Sequence, residues 1–413
     1  MESNPSSFSR YQLRILAILA LINFVNFADR TVVLPLYELL KLDFSLTDMR
    51  LGWLQAVLQI VLSVATIPFA LMADRWNRSR IIAAGVMVWS IATFASGAAQ
   101  TFGALLVARA FVGVGEAAYG PAAQSMISGA FPVAARARAQ AVFAAGMLLG
   151  GAAGQAIGGI IDDRAGWAPA FFVVGIPGML LGLSALHLEE PPRGPRDEVV
   201  PLLRLLRVPA FIALNLCGVL LTFAALSFIT WGPTFAEREK NFSLSAAGVW
   251  LGSIGALSLV GGVLTGGYVA DALQKRLHYG RIVCIVAAML AAAPFLLLAI
   301  YSEDKRAVLA GLFIAVFFLS WYHGPVTAVI HDMMPRRAHA TSVGVYMFVT
   351  QLVGGTVGPL VTGRVSDLHD LSAGLKVATG VLVLGALCFL LVIYFIHRDG
   401  LRHPSLEMYH AEG

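Results

Sequence analysis

Gly146-Met147-Leu148-Leu149-Gly150-Gly151-Ala152-Ala153-Gly154-Gln155-Ala156-Ile157-Gly158 lies inside an apolar run, residues 139 to 162, with a glycine at every fourth position. At 3.6 residues per turn this spacing keeps the glycines on one helix face, and a bare face lets a neighbouring helix approach closely. The run is long enough to cross a bilayer, which takes about 20 residues of helix. Its core returns as Gly354-Gly355-Thr356-Val357-Gly358, 204 positions later. The stretch therefore sets two expectations, a membrane-spanning chain and a chain built twice. The glycine face itself reads both as tight packing and as a surface on which two halves slide.

Composition agrees with a lipid environment. Of 413 residues, 58% are hydrophobic and 13% charged, against about 25% charged in a soluble domain. Apolar runs fall near 12 to 39, 52 to 73, 81 to 100, 103 to 129, 139 to 162 and 167 to 188. A second set falls near 210 to 236, 246 to 270, 281 to 301, 307 to 331, 339 to 364 and 374 to 397. The expected fold is all-α, with twelve transmembrane helices in two pseudo-symmetric six-helix bundles, residues 1–188 and 210–413. Residues 189–209, with five prolines, form the expected linker on the side of the termini.

Basic residues orient the bundle. Of 29 Lys and Arg, 18 fall on the side of the termini and 9 on the other, leaving Arg30 and Arg109 within the spans. The positive-inside rule then makes both termini cytoplasmic, in a multi-pass protein of the inner (plasma) membrane. The net charge of +5 follows from this bias; no basic run with interleaved aromatics points to nucleic acid. The first span is too long for a signal-peptide core and is expected to be retained. Cys217, Cys284 and Cys388 each stand alone in apolar stretches, so neither disulfide nor metal site is expected.

Two more landmarks repeat: Asp74 and Asp271 end the second and eighth spans 197 apart, and Pro132 and Pro335 precede the fifth and eleventh 203 apart. Paired halves are the mark of a secondary transporter that rocks about a central site. No Gly-x-x-x-x-Gly-Lys loop for ATP is present, nor a His-Glu-x-x-His or Gly-x-Ser-x-Gly catalytic set. A protein that is not an enzyme, needs no cofactor and is not driven directly by ATP is expected.

Asp74-Arg75-Trp76-Asn77-Arg78-Ser79-Arg80 after the second span, and Arg109-x-x-x-Gly113-x-Gly115-Glu116 in the fourth, resemble motifs of the major facilitator superfamily over essentially the whole chain. The first motif departs from the family pattern, with Ala70 where a Gly is usual and Asn77 where a second is usual; Gly267 keeps the spacing before Asp271. Asn26-Phe27-Ala28-Asp29-Arg30 and Gly113-x-Gly115-Glu116-x-x-Tyr119 look like the spinster branch, whose members export lysophospholipids or sphingosine-1-phosphate. That resemblance implies proton coupling through Asp29 and Glu116 and a head group met by Arg30. Organic-anion symporters of the superfamily share the Asp-Arg pair, which keeps a small organic-anion/proton symporter as the alternative.

Asp29, Arg30, Arg109 and Glu116 lie well inside spans, where an unpaired charge costs at least about 2.5–3.5 kcal/mol. At ~1.5 Å per residue from the outer surface, Arg109, Asp29 and Glu116 lie ~9, ~15 and ~20 Å deep, so the four overlap in depth. Arg109 and Glu116, seven apart, share a helix face, as do Asn23, Asn26 and Arg30. The two stripes are expected to meet as two opposite-charge pairs, either as glue between the first and fourth spans or as groups that gain and lose protons. A carboxyl group deprived of water favours its neutral form and a neighbouring Arg opposes this, so moving the Arg moves a proton.

The seventh and tenth spans offer Trp231, Tyr322 and His323 and no comparable charge. The resemblance implies that the first, fourth, seventh and tenth spans line a central cavity; one ionic and one aromatic wall would suit an amphiphilic anion better than a sugar. The expected binding set is Asn26, Arg30, Arg109, Tyr119, Trp231, Tyr322 and His323, with Asp74, Arg75, Arg78 and Asp271 as a conformational latch. The expected partners are a small amphiphilic or organic anion, protons and the bilayer, around a monomer. A lipid-sensing receptor would need a signalling domain, and 15 residues follow Arg398.

Overall fold

Proline and capping residues set where the helices stop and start. Ser9 and Gln12 close a capping box at the start of the helix from Arg10. Asn77 and Thr101 accept from the backbone N–H groups of Arg80 and Ala104 at the starts of the helices from Arg78 and Phe102, which satisfies donors the helix leaves open. The computed structural model describes residues 8–73, 75–191, 205, 207–335 and 338–402. Among these, twelve helices are long and apolar enough to cross a membrane. They are α1 (Arg10–Val32), α2 (Asp48–Ala73), α3 (Arg78–Gly97), α4 (Phe102–Ala130), α5 (Arg138–Ile161), α6 (Ala168–Ala185), α7 (Pro209–Lys240), α8 (Leu244–Gln274), α9 (Gly280–Tyr301), α10 (Lys305–Met333), α11 (His339–Leu368) and α12 (Leu371–Arg398).

All twelve expected spans are present, with one shortened. The first was read to residue 39, but α1 ends at Val32 and a separate short helix, Tyr37–Asp43, follows. Pro35 explains the break, since it has no N–H to donate and disfavours helical backbone in the residue before it. Inside α11, a π-helical turn at Thr350–Gly354 leads into the repeated glycines.

The chain forms two compact units. One comprises residues 1–47, 53–195 and 242–253, the other 48–52, 196–241 and 254–413. Two short segments fall apart in sequence from the rest of their unit. The start of α8 joins the first unit, where Gly248 and Gly252 lie against the backbone of Gln155 and Ala152 on α5. The start of α2 joins the second, where both carboxylate oxygens of Asp48 accept from Arg238 at 2.6 and 2.9 Å. Most of the 189–209 linker lies outside the described residues.

In the first unit, a Cβ on Gly146, Gly150, Gly154 or Gly158 would overlap the carbonyls of Ala20, Phe24, Ala28 and Val32 in turn. The glycine face of α5 is thus the bed of α1 in the same bundle, which is the packing reading; the reading of that face as a surface between halves is corrected. In the second unit, Gly354 and Gly358 meet the carbonyls of Val219 and Phe223 on α7 in the same way. The duplication is therefore one of packing as well as of sequence.

Candidate functional site

The first unit brings the four intramembrane charges together. Gly113 has no Cβ to hold α4 off α2, where the nearest atoms are Leu58 O and Leu62 N; Gly115 does the same against Gly85 and Trp89 of α3. Backed on two sides, α4 presents Arg109 and Glu116 to α1. Two ion pairs form: Arg109 Nη1 donates to Asp29 Oδ1 at 2.9 Å, and Arg30 Nε lies 2.8 Å from Glu116 Oε2.

The pairs differ. Asp29 and Arg109 are sealed, with side-chain exposures of 1% and 0%, and the second oxygen of Asp29 accepts from the Thr93 hydroxyl on α3. Glu116 is equally sealed, but the Arg30 side chain is 24% exposed and its guanidinium lies over the Phe27 ring at 4.8 Å. The Arg30 Nε–H is not aimed along the contact, so it is an ion pair without a formed hydrogen bond, and among the described residues neither oxygen of Glu116 has a hydrogen-bond partner. Buried Asn26 Nδ2, on the same face of α1, likewise lacks one.

Two aromatic residues of the expected binding set are placed elsewhere. Tyr119 belongs to the core, where its hydroxyl donates to the Leu19 carbonyl at 2.7 Å and its ring packs edge-on against Trp89. Trp231 is fully buried, its indole donating to the Pro359 carbonyl at 3.0 Å. Their polar handles are consumed by neighbouring backbone, so neither is open to a ligand. Tyr322 and His323 remain accessible at the 3-10 turn of α10, their ring centroids 4.1 Å apart.

Of the expected latch, Asp74 lies outside the described residues and Arg75 is exposed. Arg78 is instead buried, donating to Glu190, to Ser125 and to the Pro191 carbonyl. Those bonds tie the start of α3 to α4 and to the segment that follows α6. Asp271 pairs with Arg281, which also holds Asp332 at 2.6 Å.

Thr93 was not foreseen. Its signal was Ser90, Thr93 and Ser96, a polar file of spacing three in an apolar helix, all fully buried. The Asp48–Arg238 pair was also missed, together with Asp367, whose carboxylate accepts from the first backbone N–H groups of α2. Both sit at span ends, where a charge raises no alarm.

A family model described as Major Facilitator Superfamily matches residues 19–359. An MFS-type efflux pump of Mycolicibacterium smegmatis is 29% identical over 403 residues, covering 93% of each chain. The sphingosine-1-phosphate transporter of Danio rerio is 27% identical, with 94% of this chain and 86% of that one aligned. A crystal structure of a bacterial homologue of the human lysosomal transporter spinster, in an inward-facing and occupied conformation, has a TM-score of 0.85 at 24% identity, covering 95% of this chain and 99% of that one. That last likeness is one of fold.

Proposed function

The chain belongs to the Major Facilitator Superfamily, and we propose that it is a proton-coupled secondary transporter of amphiphilic anions, of the lysophospholipid or sphingosine-1-phosphate kind. It works by alternating access in the inner membrane, with both termini cytoplasmic. The observation that carries this reading is the inequality of the two ion pairs. Arg30 is the one member of the four with substantial exposure, and it is held by a contact that lacks a hydrogen bond.

An anionic head group offers Arg30 two oxygens in the plane of the guanidinium, a geometry Arg matches better than any other cation. When the head takes the guanidinium, Glu116 is left buried with no counter-charge. A bare carboxylate there costs several kcal/mol, so Glu116 takes up a proton. Loss of the anion returns Arg30 to Glu116 and releases the proton. Asp29, fixed by Arg109 and Thr93, holds α1 against α3 and α4 so that Arg30 stays in register. The name of the Danio rerio relative supports a phosphorylated amphiphile as substrate.

The test is transport by the purified protein in liposomes under an imposed pH gradient, comparing a lysophospholipid, sphingosine-1-phosphate and short organic acids. The expected result is gradient-dependent movement of the amphiphiles, with Glu116→Gln binding them but losing the pH dependence. Preference for short acids moves the assignment to the organic-anion symporter. Unchanged pH dependence in Glu116→Gln removes Glu116 from the coupling.

A further inference from the structure

A cavity lies on the surface of the first unit, separate from the charged pairs. It has a volume of about 550 Å³ and is formed by the last turns of α2, the first half of α3 and the middle of α4. Its floor follows from backbone packing: a Cβ on Gly85 would overlap Gly115 O and Ala118 Cβ, so the α3–α4 seam carries no bulky side chain and leaves a trough. The walls are apolar, with Phe69 and Met72 from α2, Ala84 and Val88 from α3 and Val114 from α4. Val114 and Ala118 stand two residues from Glu116, ~200° around the helix, so the trough faces away from the ion pairs. Its volume lies within the ~300–1,000 Å³ of ligand sites.

The mouth differs from the walls. Trp76, 61% exposed, and Arg80, also exposed, line the end of the trough just beyond the last residue of α2. Trp belongs at the junction of hydrocarbon and head groups. Arg80 lies in the first turn of α3, where the helix dipole adds positive potential. No acidic side chain lines the trough among the described residues. A hydrocarbon slot ending in an interfacial Trp and a cation complements a lipid with an anionic head and does not complement a zwitterionic one in particular.

We propose that this trough is a binding site for an anionic glycerophospholipid of the leaflet on the side of the termini, with one acyl chain in the slot and its phosphate at Arg80. The lipid is a resident ligand, distinct from the transported amphiphile, and it fills the seam that the glycine packing of α3 on α4 leaves open.

The experiment uses the full chain in phosphatidylcholine vesicles doped with phosphatidylglycerol carrying brominated acyl chains, which quench tryptophan at contact. Trp76→Phe identifies the share of the signal owed to Trp76. Brominated phosphatidylglycerol is expected to quench that share at roughly one-fifth the mole fraction needed by brominated phosphatidylcholine, the preference one Arg near a membrane surface supplies. Arg80→Gln should bring the two lipids level, Arg80→Lys should keep the preference, and Ala84→Leu, which fills the slot, should reduce quenching by both. Equal quenching by the two lipids in the wild type means ordinary boundary lipid and overturns the proposal. A preference that survives Arg80→Gln overturns the head-group assignment, and undiminished quenching in Ala84→Leu overturns the placement of the chain.

Discussion

Asp29–Arg109 and Arg30–Glu116 join the same two helices within two turns of each other, and they differ in how they are enclosed. The first is closed on every side and has a third partner in Thr93. The second has one member in reach of solvent and no hydrogen bond to hold it. A sealed, hydrogen-bonded pair resists exchange because removing either partner strands a charge. A pair with one accessible member lets a competing anion take the cation without dismantling the packing. Neighbouring carboxylate–guanidinium pairs thus differ in both burial and hydrogen bonding, and the second alone leaves a member within reach of a competing anion.

The largest expected effect comes from breaking the closed pair. Arg109→Ala leaves Asp29 buried with only a hydroxyl beside it and should destabilise the protein by about 3–5 kcal/mol, read as a lowered thermal midpoint in detergent. A midpoint unchanged within error would show that Asp29 finds another counter-charge or sheds its own charge at little cost. Thr93→Val is the intermediate case. It keeps the volume and removes one hydrogen bond to a charged group, for an expected loss of roughly 1.5–3 kcal/mol.

The open pair should behave otherwise. Glu116→Gln leaves a guanidinium that reaches solvent and lies on the Phe27 ring, so the stability change should be about 1 kcal/mol while the pH dependence of transport is lost. A loss as large as that of Arg109→Ala would erase the distinction between the pairs.

Much of this was legible in the sequence, for reasons that also mark where it stopped. Apolar length gave the spans, and the seven-residue spacing of Arg109 and Glu116 put both on one face. The glycine ladder gave a close helix contact without saying which neighbour, because the recess is carried by α5 but the bed is chosen by α1. Which carboxylate meets which guanidinium depends on the rotation of α4, fixed by Gly113 and Gly115 against α2 and α3, and of α1, fixed on the glycines of α5, and that is a tertiary fact. Tyr119 and Trp231 failed as site residues for the same reason. A polar tip in an apolar helix looks free until the carbonyl that receives it, of Leu19 or Pro359, is placed. Pro35 marked the end of α1, but the apolar run continued past it and was read through.

The smallest substitution is the sharpest test of the open pair. Arg30→Lys keeps the charge, so Glu116 retains a counter-ion and stability should hold within about 1 kcal/mol. It exchanges a planar fork for a compact ammonium that cannot meet two oxygens of a head group at once. If Arg30 reads the head, affinity for a lysophospholipid or sphingosine-1-phosphate should fall roughly tenfold, the loss of about 1.4 kcal/mol expected when one charge-assisted hydrogen bond is removed. That loss should be uniform along a chain-length series in equilibrium binding, because the tail does not meet Arg30. Arg30→Lys with wild-type affinity for every anion tested would make Arg30 a second tie between α1 and α4, and the two pairs would then differ in exposure but not in role.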